Sequence, residues 1–235
     1  AVARKPAKGP DPYHIPRSGA GQVVLVGPPN VGKSAIVAHT THAPVKVADY
    51  PFATALPVPG MAKYKDVQIE LVDTPPVIAD HLPGGLLGTI RNSDIIAIVV
   101  DASVDPLEEV EMVAGLLGER GLVLRSAAIG DLDHDDPNQH ACLIVANKAD
   151  LAEAETIATL RELYTNRLEV MAVSAATGEG LERLIERFWE MLSVVRIYTK
   201  QPGEPADMVK PFTLPTGEQF AVCDDAQGAA FAIRE

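Results

Sequence analysis

A short apolar run, Val23-Val24-Leu25-Val26, stops at Gly27 and is followed by Pro28-Pro29-Asn30-Val31-Gly32-Lys33-Ser34. Four aliphatic residues in a row, three of them β-branched, describe a strand buried on both faces. The glycines let the backbone turn tightly and aim its amides at one point, and a helix is expected from Gly32 to about His42. Strand, tight loop and helix in this order leave little choice of fold, because the loop must open onto a crevice at the carboxyl end of a sheet. Its natural occupant is a polyphosphate, drawn by the inward amides and by the positive end of the helix dipole. Lys33 would act as a point charge on the β- and γ-phosphates and the Ser34 hydroxyl as a magnesium ligand. The residues expected to line the phosphates are Pro29, Asn30, Val31, Gly32, Lys33, Ser34 and Ala35. The bland alternative is a chance match in a glycine-containing turn, and the flanking strand and helix argue against it.

The same cadence repeats downstream. Gln68 to Val72, Ile95 to Val100, Ala141 to Ala146 and Glu169 to Val173 are further strand-like runs, which end at Asp73, Asp101, Asn147 and Ser174. Helical stretches lie between them, the clearest over 179–195, where Leu181, Leu184, Ile185, Phe188 and Leu192 share one face. This alternation predicts an α/β fold, a doubly wound and mostly parallel sheet. The chemistry-bearing residues then collect at the carboxyl ends of the strands.

Asn147-Lys148-Ala149-Asp150 names the base. A carboxylate can accept from both the N1–H and the N2 amino group of guanine, and adenine offers no such donor pair. Asp150 therefore selects against ATP, Lys148 can lie over the base plane, and Asn147 can brace the neighbouring loops. Ser174, Ala175 and Ala176 are expected to present backbone donors to the guanine carbonyl. Asp73, at the end of its strand, is expected to hold magnesium through water; capping a turn is its plain alternative.

Composition sets outer limits. The chain has 235 residues, 47% of them hydrophobic, enough for one well-buried α/β domain and something small. No apolar run approaches the ~20 residues of a membrane span, and residues 1–21 lack the apolar core of a secretory signal. A net charge of -12 disfavours general nucleic-acid binding by the whole surface but leaves room for a local basic patch. Cys142 and Cys223 are too few for a disulfide framework, and a buried free thiol in a reducing cytoplasm fits Cys142. Asp131, Asp133, Asp135 and Asp136 crowd with His134 and His140, which reads as a solvated acidic loop rather than a metal site.

With these motifs in hand, the chain resembles the translation-factor class of GTPases. Asp49-Tyr50-Pro51-Phe52-Ala53-Thr54 looks like the first switch of the Obg-type and developmentally regulated GTP-binding proteins. The resemblance implies that Thr54 reaches magnesium and the γ-phosphate, so that Lys33, Thr54 and Asp73 form the catalytic set. Val195-Arg196-Ile197-Tyr198-Thr199 resembles the entry to a TGS domain, a small β-grasp-like module. The expected division is a flexible lead-in over 1–19, a GTPase domain over 20–194 and an incomplete TGS-like domain over 195–235.

Two departures stand out. The family glycine whose amide meets the γ-phosphate is replaced by Pro76, which has no N–H. The position of a water-orienting glutamine is Val77, which cannot orient water by hydrogen bonding. Slow hydrolysis is implied, with potassium near Asn30 as one possible aid and a simple turn role for Asn30 as the alternative. Arg91 is a surface arginine more readily than a finger into the site. The resemblance implies a cytoplasmic switch linked to ribosomes or RNA through the C-terminal module. A nucleotide-gated binder with negligible hydrolysis and an ATP-using phosphotransferase are the rivals.

Overall fold

The computed structural model describes residues 12–41, 56–79, 81–83, 85–133, 135–200, 212–215 and 230–234. Thr54 and the rest of the first-switch segment, with Gly84 and His134, lie outside them.

β1 (Gln22–Val26) and α1 (Lys33–Thr41) are followed by β2 (Val58–Tyr64) and β3 (Val67–Asp73). Then come α2 (Leu86–Asn92), β4 (Ile95–Asp101), α3 (Pro106–Glu119), β5 (Val123–Arg125) and a 3₁₀ turn at Ile129–Asp131. β6 (Gln139–Asn147), α4 (Ala154–Tyr164), β7 (Glu169–Ala172) and α5 (Leu181–Leu192) complete the layer structure. The sheet has seven strands in the order β2-β3-β1-β4-β6-β5, with β7 on the same edge of β6. Every pairing is parallel except β2 with β3. The expected doubly wound sheet is therefore present, with an antiparallel edge.

Alternation along each strand divides the core into two clusters. Val24 and Val26 join Leu86, Ile90, Val110, Leu117 and Leu160, from α2, α3 and α4. Val23 and Leu25 join Ile36, Val37, Leu184 and Phe188, from α1 and α5. A sheet buried on both faces needs apolar residues at consecutive positions, which is the pattern of β1 and β4. Cys142 lies in the first cluster as a free, buried thiol, and burial pushes its pKa well up.

β2 was not visible as a strand, because Pro59 and Gly60 read as turn residues. Edge placement tolerates the proline. Gly60 is required by close packing, since a Cβ there would lie 2.9 Å from both Val37 and Thr41 of α1. Residues 12–19, expected as part of the lead-in, carry bonds to the domain. Thr89 donates to the Tyr13 carbonyl at 2.5 Å, and Arg17 donates to the Asn92 carbonyl and pairs with Asp94 at 2.8 Å. These bonds run between a loop and a helix distant in sequence, which composition cannot foresee. After α5, β8 (Val194–Lys200), β9 (Phe212–Pro215) and β10 (Ala230–Arg234) form a separate antiparallel sheet in the order β10-β8-β9.

Candidate nucleotide site

β1, β3, β4 and β6 end side by side, and their last residues deliver the site. The register pairs Leu25 with Asp73 and Asp101 with Asn147. The loop after β1 is fixed by two glycines. A Cβ on Gly27 would stand 2.1 Å from the Val99 carbonyl oxygen, so the chain passes directly over β4. Gly32 has φ +92°, and a Cβ there would stand 2.2 Å from Nδ2 of Asn147. Asn30 also occupies the left-handed region, at φ 64°, with an exposed side chain. Asparagine is among the few residues that tolerate that backbone.

Lys33 folds back over its own loop. Its Nζ donates to the Gly27 carbonyl at 2.9 Å and to the Pro28 carbonyl at 2.8 Å. Burial lowers its pKa from 10.5 to about 8, opposed by the nearby charges of Asp73 and Glu109. The Ser34 hydroxyl donates to Asp73 Oδ2 at 2.6 Å. Asp73 is 1% exposed, so this carboxylate faces the loop rather than solvent. Thr74 anchors the strand end by donating to the Leu25 carbonyl at 2.6 Å.

Pro76 and Val77 behave differently from one another. Val77 is fully buried, packed with Leu82, Leu86 and Ile90. Its amide, the one next to the missing Pro76 donor, is given to the Gly27 carbonyl at 3.0 Å. That carbonyl thus accepts from both Lys33 and Val77. Arg91 is far from a finger's role. It donates to the Arg120 carbonyl at the end of α3, as a surface arginine.

The loops expected to read the base are tied together by Asn147, 1% exposed. Its Nδ2 donates to the Val31 carbonyl at 2.8 Å and its Oδ1 accepts from the Ala175 amide at 2.9 Å. One side chain thus joins the phosphate loop to the loop after β7. The Ala175 amide is therefore used in bracing, and the next residue, Ala176, is exposed. Ser174 is buried and its hydroxyl accepts from the Thr177 amide at 3.1 Å. Asp150 is exposed at the mouth. Lys148 has φ 59° and forms an ion pair with Asp101.

Asp101 went unnoticed in the sequence except as the residue that stops β4. Its Oδ1 accepts from the Ser103 amide at 3.0 Å and the Ser103 hydroxyl at 2.6 Å, while Oδ2 accepts from Lys148. Burial raises its pKa, but the bonds from Lys148 and Ser103 outweigh this and hold it below the usual carboxylate range. Glu109 on α3 accepts from the Asp101 amide at 2.8 Å. Among the described residues no cluster of three or more His, Cys, Asp or Glu could hold a metal. Nor, among those residues, is any helix long and apolar enough to cross a membrane.

Comparison with known proteins supplies the family. Residues 22–148, more than half of the chain, match the family model described as 50S ribosome-binding GTPase. A GTP-binding protein of Halobacterium salinarum is 28% identical over 91% of this chain and 73% of its own length. GTPase Obg of Coprothermobacter proteolyticus is 30% identical over 85% of this chain but only 46% of its own, so the chain spans about half of that relative. Developmentally-regulated G-protein 2 of Arabidopsis thaliana is 24% identical over 88% of this chain and 67% of its own. Two solved structures share the fold at 20% identity. Era in complex with MgGDPNP and nucleotides 1506–1542 of 16S ribosomal RNA gives a TM-score of 0.58 over 73% of this chain and 56% of its own. NFeoB from S. thermophilus bound to GDP·AlF4⁻ and K⁺ gives 0.53 over 71% and 60%. The chain belongs to the family of 50S ribosome-binding GTPases, as a P-loop GTPase of the Obg-like and developmentally regulated kind.

Proposed function

We propose that this protein is a slow GTP-hydrolysing switch that uses magnesium and acts at the ribosome or on RNA. The observation that carries the reading is the cluster of Lys33, Ser34 and Asp73 at the end of a loop built around two obligatory glycines. A buried carboxylate and a hydroxyl 2.6 Å apart are hard oxygen donors of the kind magnesium takes, so the residues fit the ion. Ser34 and Asp73 would hold it, with Thr54 from the first switch by resemblance. Bound there, magnesium would neutralise charge on the β- and γ-phosphates. Lys33 spends two of its three donors on the Gly27 and Pro28 carbonyls and would turn the third to the phosphates. Asp150, Lys148 and the Ala176 amide would take the guanine.

Slowness follows from Val77. A buried aliphatic side chain has no group with which to orient an attacking water. Potassium beside Asn30 is a fitting aid, since the NFeoB structure named above carries that ion. The rRNA in the Era structure and the Obg relatives support a ribosomal setting, in which the β8–β10 sheet would serve as a TGS-like module and the cytoplasm would be the compartment.

The test is phosphate release from magnesium-GTP in potassium chloride and in sodium chloride at equal ionic strength, with magnesium-ATP as control. Slow release from GTP alone supports the switch, and faster release in potassium supports the Asn30 site. Tight GDP binding with no release in either salt would replace the enzyme with a nucleotide-gated binding protein.

A further inference from the structure

We propose that Asp101 is the positioning residue for Lys148, holding its side chain along the face that the guanine ring occupies. The inference rests on the guanine-nucleotide reading of the site and deepens it. Lys148 leaves β6 in the left-handed backbone region, which turns its side chain back across the ends of the strands rather than onward with the chain. Its ammonium meets Asp101 Oδ2, on the adjacent strand end. A lysine has four rotatable bonds and a flexible ammonium, so without a partner it would sample many positions over the base. Here one carboxylate fixes the far end of the side chain, and the methylenes between are left to pack against the purine.

Asp101 is itself held as a device for this purpose. Two Ser103 bonds occupy Oδ1, so Oδ2 is the oxygen turned to the lysine. Its backbone is fixed from two more directions. The Asp101 amide is taken by Glu109, and the next amide, of Ala102, is taken by the Asn147 carbonyl at 2.8 Å. The carboxylate is 11% exposed and the lysine side chain 32%, so the ammonium lies at the border of solvent, where a ligand can cover it. A charged pair that is only partly screened before the nucleotide arrives strengthens once the base excludes water.

The experiment measures the affinity of a fluorescent guanosine diphosphate, and its displacement by inorganic pyrophosphate, in the wild type, Asp101→Asn, Lys148→Met and the double variant. Asn keeps the shape of the residue and its bonds to Ser103 but not the charge. Each single change is expected to weaken the nucleotide about tenfold. The double variant is expected to bind no more weakly than Lys148→Met alone, and pyrophosphate affinity to stay as in the wild type. A double variant weakened by the product of the two singles would overturn the proposal, as would unchanged binding in Asp101→Asn. A parallel loss of pyrophosphate would also overturn it, by pointing to general damage of the loops. A wild type that binds no guanosine diphosphate, or a Lys148→Met variant that binds it normally, would instead sink the guanine-site reading and this proposal with it. Should Asp101→Asn not fold, Ser103→Ala loosens the same carboxylate. It is expected to weaken the nucleotide in the wild-type background and not in Lys148→Met; equal losses in both would overturn the proposal.

Discussion

The two ends of the nucleotide site are built on opposite terms. At the phosphate end the polar groups satisfy one another: Lys33 rests on the Gly27 and Pro28 carbonyls, Ser34 on Asp73, and the Val77 amide on Gly27. On the proposed reading, Ser34 and Asp73 would exchange their mutual bond for magnesium, and the third Lys33 donor would go to a phosphate. At the end proposed for guanine the bonds brace the loops from behind. Asn147 joins Val31 to Ala175, and Asp101 holds Lys148, while Asp150 stands open. On the same reading, the ligand would rearrange the bonds at the first end and find those at the second already made. The part that changes would then lie at the end that would distinguish a triphosphate from a diphosphate.

The largest effect should come from removing the pivot of the moving end. Lys33→Ala should weaken magnesium-GDP by at least about a hundredfold, read by nucleotide titration, because a buried charge-assisted contact to phosphate is lost. Retained wild-type affinity would break the comparison at its first term. Asn147→Ala strikes the fixed end and should cost about 2 kcal/mol of unfolding free energy, measured by denaturant titration without nucleotide. The Val31 carbonyl and the Ala175 amide both lose a buried partner. A loss of affinity with no loss of stability would mean that Asn147 is a ligand contact and not a brace.

The smallest effect is a proton. Lys33, at about 8 in the empty protein, should regain its charge beside a phosphate. Binding of GDP near pH 9 should therefore take up a fraction of a proton, and binding near pH 7 almost none. Calorimetry in two buffers of different ionisation enthalpy checks this. Between about pH 8 and 10.5 the unfolded chain holds this proton and the folded chain releases it, so the empty protein gains stability as pH rises through that window. Below about 8 the cost of the buried charge is present in full.

The phosphate end was legible because its chemistry is local. Gly27 to Ser34 states its own geometry, and the structure gives each glycine a contact that no side chain could share. The bracing place of Asn147, at the end of its strand between two loops, was legible for the same reason. The other supports were not. Asp101 lies 47 residues from Lys148, and an aspartate that stops a strand resembles any turn residue. The signal that could have found it was its place: it ends an apolar strand just as Asp73 and Asn147 do. Val77 was recognised as unable to orient water, but not as a core residue, because burial there depends on α2 packing behind it. β2 was hidden by Pro59 and Gly60, whose reasons lie in edge placement and in α1.

Amide hydrogen exchange in the empty and the magnesium-GDP-loaded protein puts the contrast to the most direct test. Amides of Ala149, Leu151 and Ala175, each bonded to another part of the protein, should exchange slowly in both forms. Those over 30–35 should exchange fast when empty and slow when loaded. Equal protection gained at both ends would contradict a site with one fixed and one moving half.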